Sequence, residues 1–420
     1  MMIYLQLIRN SSDVKAMKIA LVNSEHPSIA GSDHGGIATY TYTMARYLAK
    51  RGHTVHLLTR SSVLSTHFSP SVHFYKFGFE KSGNPVSRLL DRINRTAISW
   101  EKGNSRCISR LISRIAAGEG LDIVDIPDYG GMAGRYKPAI NVPCIITFHM
   151  PSEMVDSLNG TTPSAARKKQ YQLERDGVIH AAGYKVPSLA LKNHVSTLYH
   201  LSPVSVPVIR NPLDHVKINY PIRESIDETR FDILFSGRLE RRKGAELIQK
   251  SIKSLLRIHP SITISFAGET EISNTFNYRY AIEQILSPDE RERVWFLGPL
   301  SSTRLHPLYS NSSVFLFPSL FENCPYALIE AMAAGLPVIA TEGSGIGEII
   351  SHDSNGILFP QNDIVQLVEA VKMLFNDRDR AARIGQNAAR SVKTLFDPEK
   401  IIDETVEFYQ SIINANGFHS

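Results

Sequence analysis

The chain has 420 residues, 43% of them hydrophobic and 21% charged, with a formal net charge of +5. That length favours two or three domains over one core, and the composition is that of an ordinary globular protein rather than a disordered or fibrous one. A mild positive charge suits phosphorylated substrates or an anionic surface; it calls for no nucleic-acid partner and leaves the oligomeric state open.

Residues 1–16 carry a short apolar run but neither a basic start nor a small-residue cleavage site, so they read as an N-terminal extension rather than a signal peptide. No run of about eighteen apolar residues exists to span a membrane. Cys107, Cys144 and Cys324 are odd in number and far apart, which indicates neither a disulfide framework nor a CxxC metal site and points to a reducing, cytoplasmic compartment.

From Met17 the pattern becomes regular, with an apolar strand over 18–23, a glycine-led helix over 35–50 and a strand over 54–59. Further strands are expected at 72–77, 122–126, 144–148, 178–182 and 204–209. Helical patterns lie between most of them, the signature of a largely parallel sheet covered on both faces. Asn211-Pro212-Leu213-Asp214 interrupts this alternation and a polar stretch follows, which places a domain boundary at 210/211. The alternation restarts with strands at 232–236, 262–267, 293–297, 314–317 and 338–340. Helices at 364–375, 378–392 and 401–413 close the chain. The expected fold is therefore α/β. An N-terminal Rossmann-like domain (17–210) faces a second one (211–398) across a central cleft, with a terminal helix in 399–420. Open sheets of this kind place ligands at the carboxyl ends of their strands.

The most informative segment is Ser319-Leu320-Phe321-Glu322-Asn323-Cys324-Pro325-Tyr326-Ala327-Leu328-Ile329-Glu330, followed by a small-residue helix and a buried-type strand. Pro325 fits a first helical turn, so Glu322 falls in the loop at the helix mouth and Glu330 on the helix. Free amides at such a mouth suit an anion or a hydroxyl-rich ligand, and carboxylates accept from sugar hydroxyls. Acids near a helix start are also favoured for structural reasons alone.

Five other segments fall at strand ends. Gly35-Gly36 lets backbone amides approach a phosphate or sugar, or simply makes a tight turn; it is not the GxGxxG of a dinucleotide fold, which disfavours a dehydrogenase. His149 follows the 144–148 strand, where an imidazole can donate to a hydroxyl or a developing oxyanion, or serve as an ordinary structural or solvated residue. In Gly237-Arg238-Leu239-Glu240-Arg241-Arg242-Lys243-Gly244, Arg238 and Lys243 can converge on a diphosphate and stabilise charge on a leaving phosphate, while Arg241 and Arg242 read as surface enrichment without a catalytic role. The glycines of 341–350 either admit a ligand or serve a turn in which Glu348 caps the next helix, and Leu297-Gly298 ends a strand where backbone groups can meet a nucleotide base, or simply closes a core strand with a tight turn.

Taken together, Gly35-Gly36, His149, Gly237-Arg238 with Lys243, and above all Glu322 followed eight residues later by Glu330 resemble the family 4 retaining glycosyltransferases, whose two-domain fold is called GT-B. They run in the expected order through roughly 17–390. The resemblance implies transfer of a hexose from a nucleoside diphosphate sugar, UDP-sugar favoured, to a hydroxyl of a glycan or lipid-linked glycan, with no cofactor and no bound metal. It implies that Arg238 and Lys243 clamp the donor diphosphate, Glu330 accepts from the ribose hydroxyls, Glu322 binds the hexose, and the backbone of Asn323, Cys324, Pro325, Tyr326 and Ala327 orients it. His149 would contact the transferred sugar near its 6-hydroxyl, Gly36 would approach the phosphates, and the last helix would cross back to the first domain. An epimerase or a phosphorylase on the same scaffold, or a non-enzymatic glycan-binding protein, remains open at this stage.

One segment points to the acceptor side. From Lys81 through Arg114 eight basic residues face only Asp91 and Glu101. Arg88, Arg92, Arg95, Lys102, Arg106, Arg110 and Arg114 recur at mostly three- and four-residue spacing beside apolar positions. Such a helix suits peripheral contact with an anionic membrane, or an ordinary solvated face.

Overall fold

The computed structural model describes residues 15–23, 35–60, 69–77, 97–136, 142–214, 229–270 and 276–417. The expected extension (all but residues 15 and 16) and Arg88, Arg92 and Arg95 lie outside them. Two parallel sheets of six strands organise the chain. The first holds β1 (Lys18–Val22), β2 (Thr54–Thr59), β3 (Val72–Lys76), β4 (Ile123–Pro127), β5 (Cys144–Thr147) and β6 (Gly183–Lys185), in the spatial order β3-β2-β1-β4-β5-β6. The second holds β7 (Phe231–Ser236), β8 (Ile262–Ala267), β9 (Val294–Gly298), β10 (Val314–Phe317), β11 (Val338–Thr341) and β12 (Ile357–Phe359), in the order β12-β11-β10-β7-β8-β9. Each sheet thus reverses direction beside its own first strand, the crevice where doubly wound sheets bind ligands.

The near-continuous apolar runs of β1, β4, β5 and β10 reflect helices on both faces. In the first domain these are α1 (Gly36–Lys50), α2 (Ala97–Gly118), α3 (Ser152–Asn159), α4 (Ala165–Ile179) and α5 (Leu189–Tyr199). The second has α6 (Ala245–Leu256), α7 (Tyr278–Ile285), α8 (Pro288–Arg291), α9 (Ser302–Asn311), α10 (Tyr326–Ala333), α11 (Ile364–Asn376) and α12 (Arg378–Leu395). The last helix, α13 (Pro398–Ala415), returns to α1, where Glu399 pairs with Lys50 and Arg51. Its buried Tyr409 donates to Asp125 Oδ2 of β4 at 2.6 Å. One apolar core runs through both domains, from Leu21 and Met44 to Ile329, Met332 and Val406.

Two expected strands differ. The 178–182 segment is the end of α4, which runs to Ile179; the strand starts only at Gly183, where the absence of a side chain admits Ile412 of α13. In 204–209 a 3-10 turn occupies Pro203–Ser205 and only Val208 pairs, with Val186, because Pro203 and Pro207 have no amide hydrogen for a ladder. On α2, Arg106, Arg110 and Arg114 are exposed while Ile108, Ile112 and Ile115 are buried, the amphipathic division that their spacing predicts.

Candidate functional site

A cleft of about 810 Å3 separates the carboxyl ends of the two sheets. Of the residues expected at the site, Gly35, Gly36, His149, Arg238, Lys243, Glu322, Asn323, Cys324, Pro325, Tyr326, Ala327 and Glu330 all line it. Leu297 does not. It alternates outward with Trp295 on the edge strand β9, and the chain turns at Gly298 so that Pro299 and Leu300 reach the cleft instead.

The wall from the second domain is built by strand ends. After β7 the chain turns through Gly237, and a 3-10 turn at Arg241–Lys243 ends at Gly244, whose φ of 82° and contact with the Pro318 carbonyl leave no room for a side chain. Lys243 Nζ lies 2.5 Å from Glu322 Oε1, and Arg242 Nη1 donates to the same oxygen at 3.0 Å. Arg242 Nη2 reaches Glu240 at 2.8 Å, and the half-exposed Arg238 sits 3.2 Å from Glu240. Arg242 is therefore buried within the site, which corrects its reading as surface enrichment; only Arg241, beside Glu246, is on the surface. The tight turn separates the two neighbours, and nothing in their spacing distinguishes them.

Burial opposes the charge on Lys243 and lowers its pKa although Glu322 supports it. Burial also opposes ionisation of Glu322, yet Lys243 and Arg242 outweigh it and hold the carboxyl below its usual range. Glu330, on α10 behind Pro325, has no such cations: burial pushes it up to about 7, against the pull of the Tyr309 hydroxyl. The Glu322 loop is braced from behind. Gly345 donates its amide to the Glu322 carbonyl at 2.7 Å, and a side chain there would collide with the Asn323 carbonyl. The glycine loop thus supports the acidic loop, and Gly345 is not among the cleft-lining residues.

The opposite wall presents His149 at the end of β5. Its amide donates to Asp128 Oδ1 at 2.9 Å, and its ring meets the edge of Tyr40 with centroids 4.9 Å apart. Burial lowers the imidazole to about 4, with Lys185 acting in the same direction and Asp125 opposing, so the ring is neutral at neutral pH. Beneath it Lys185, Asp125, Tyr40, Thr147 and Tyr409 form a buried network, in which Asp125 accepts from Thr147 at 2.6 Å and pairs with Lys185 at 3.1 Å.

The side chains of Asn323, Asn159 and Glu348 bridge the walls. The Asn323 side-chain amide donates to the His149 carbonyl. Asn159 accepts from the Arg242 amide at 2.9 Å and donates to Glu240 at 3.3 Å. Glu348 accepts from the amides of Leu189 and Ala190, each at 2.9 Å, and so caps α5 of the first domain rather than the next helix of its own. Asn159, Asp128 and Tyr309 carried no motif that would have singled them out.

The residues 217–391 match the family model described as "Glycosyl transferases group 1", and 34–217 match that of "Glycosyltransferase Family 4". The glycosyltransferase MJ1607 of Methanocaldococcus jannaschii is 24% identical over 414 residues, covering 96% of this chain and all of that protein. A glycogen synthase of Mycobacterium tuberculosis is 22% identical over 94% of each chain. Among solved structures, sucrose-phosphate synthase from Thermosynechococcus elongatus superposes with a TM-score of 0.75 at 20% identity, over 95% of this chain and 100% of that one. Anabaena Alr3699/HepE in complex with UDP-glucose gives 0.69 at 16% identity, over 94% and 100%. With its paired glutamates, its Arg/Lys loop and two facing parallel sheets, the chain belongs to the family 4 glycosyltransferases and has their GT-B fold.

Proposed function

We propose that the chain is a retaining hexosyltransferase that takes a hexose from a nucleoside diphosphate sugar, a UDP-sugar before others, and passes it to a hydroxyl of a glycan or lipid-linked glycan. The observation that carries this reading is the convergence of Arg238, Lys243, Glu322 and Glu330 on one wall of a cleft whose other wall presents a neutral His149. The cations suit a diphosphate, and the two carboxylates suit hydroxyls at opposite ends of the donor. Glu330, near 7 in the free cleft, becomes the acceptor of the ribose hydroxyls. The UDP and UDP-glucose complexes of the structurally similar Anabaena protein support the choice of base.

Retention by double displacement needs a carboxylate nucleophile beneath the anomeric carbon. Glu322 is committed through Oε1 to two cations, and the reading gives it the role of hexose ligand instead. The bond from the anomeric carbon to the phosphate oxygen breaks while the acceptor oxygen bonds on the same face. The acceptor's proton passes to the departing phosphate, and the nucleoside diphosphate leaves. Arg238 and Lys243 stabilise the charge that builds on that phosphate, so the reaction needs no metal for this task. His149 donates to the hexose near its 6-hydroxyl.

The exposed Arg106, Arg110 and Arg114 on α2 support peripheral contact with an anionic, cytoplasmic membrane face, where a lipid-linked acceptor would be presented. Among the described residues no helix is long and apolar enough to cross a membrane. The test of the function is a panel of UDP-, GDP- and ADP-sugars with glycan acceptors, read by product mass and nucleotide release. Acceptor-dependent release of a nucleoside diphosphate is expected; conversion of the sugar nucleotide without an acceptor, or no conversion of any donor, refutes it.

A further inference from the structure

The buried charges around Arg242 balance. Arg242 and Lys243 stand against Glu240 and Glu322, and the side chains of Arg242, Glu240 and Glu322 are each no more than 7% exposed. Both cations bond to the same oxygen, Glu322 Oε1, from adjacent positions of one short turn. If Lys243 were its only counter-ion, moving the ammonium to a donor phosphate would leave a buried carboxylate without a partner, a strongly unfavourable state. Arg242 removes that conflict. Its planar fork spans Glu240 and Glu322 at once, one terminal nitrogen on each and the two held at a fixed spacing, where an ammonium offers a single point charge.

We propose that Arg242 is a positioning residue that holds Glu322 by Oε1, leaving Oε2 for the hexose and freeing Lys243 to engage the donor diphosphate. This rests on the sugar-nucleotide reading of the cleft. The first domain takes part as well. Asn159 fixes the Arg242 amide and Glu240, so the fork is aligned when the walls are together as they are here.

The test is calorimetric titration of the full chain with UDP, GDP and ADP, continued with whichever binds. Arg242→Met leaves Lys243 bound to a lone buried carboxylate and should weaken the nucleotide by about tenfold or more. Adding Glu322→Gln removes the carboxylate charge that detains Lys243, so the double variant should recover affinity to within about threefold of the unaltered chain while transfer stays low. A merely structural role for Arg242 does not predict that a second substitution in the same cluster restores binding. Arg242→Lys keeps the charge and loses the fork, and should fall between; if Arg242→Met does not fold, the same comparison is made with Arg242→Lys alone and with Glu322→Gln. Unchanged affinity in the single variant, or no recovery in the double one, overturns the proposal while leaving the donor reading intact. Failure of the unaltered chain to bind any of the three nucleotides overturns both.

Discussion

Replacing Lys243 by Ala removes the more buried half of the proposed phosphate clamp, and the effect can be sized from the geometry. A unit charge about 4 Å from a phosphate oxygen contributes roughly 4 kcal/mol at an effective dielectric near 20. Part of that is already present when the donor binds, so about 3 kcal/mol remains to be lost as the phosphate departs, or about a hundredfold in turnover, the scale seen when one oxyanion donor is removed. The fold should lose far less. Arg242 stays on Glu322 at 3.0 Å, so the carboxylate keeps a cation and the cost is about 1–2 kcal/mol, a few degrees of melting temperature. The assay pairs initial rates of nucleotide release, using the donor that the unaltered chain accepts, with a thermal melt of the same preparation. A folded Lys243→Ala chain that turns over within about twofold of the unaltered one would refute the clamp assignment, since of the two cations assigned to the diphosphate only the half-exposed Arg238 would then remain.

Glu330→Gln should weaken nucleotide binding by about tenfold, because an amide is a poorer acceptor for two ribose hydroxyls than a carboxylate; equal calorimetric affinity would count against the ribose role. The same variant carries a pH signature. The folded-state pKa of Glu330 is raised to about 7, so the unaltered chain loses stability as pH climbs from about 4.5 to 7, and the Gln chain is spared that loss. Its advantage in urea should grow by about 1–3 kcal/mol between pH 5 and pH 8; an advantage independent of pH would show that burial does not perturb this carboxyl. Tyr409→Phe deletes a 2.6 Å bond to a buried carboxylate that keeps Thr147 and Lys185, and should cost about 1–2 kcal/mol of stability without changing nucleotide affinity, since the nucleotide wall belongs to the other sheet. An unchanged urea midpoint would mean that this bond adds nothing to the docking of α13.

The residues that gather in the cleft were legible because each follows a strand of a parallel sheet. His149 after β5, Arg238 after β7 and Glu322 after β10 are brought to one edge by topology, whatever their separation in sequence. Leu297 lies off the cleft for a local reason: on an edge strand the alternation decides which side chain faces out, and Val-Trp-Phe-Leu-Gly holds no polar residue to mark its phase. The 178–182 strand failed because a short apolar run at the end of a helix has no period of its own. Contacts between domains were hidden for a different reason. Tyr409 and Asp125 are 284 residues apart, and Glu348 is 158 residues from the amide it caps at Ala190. No spacing rule specifies such partners; they follow only from how the two sheets are brought face to face. Arg242 shows the same limit at close range, since one turn of 3-10 helix places it in the site and its neighbour Arg241 in solvent.

The proposed reaction breaks the bond between a hexose and a nucleoside diphosphate and delivers the sugar with its configuration kept. Proton NMR of the anomeric region during turnover tests it most directly. The donor's phosphate-coupled anomeric signal should decay in step with nucleotide release while a product signal of the same anomeric configuration grows. A product of the opposite configuration, or a donor signal that persists for every UDP-, GDP- and ADP-sugar offered with acceptor, would contradict it.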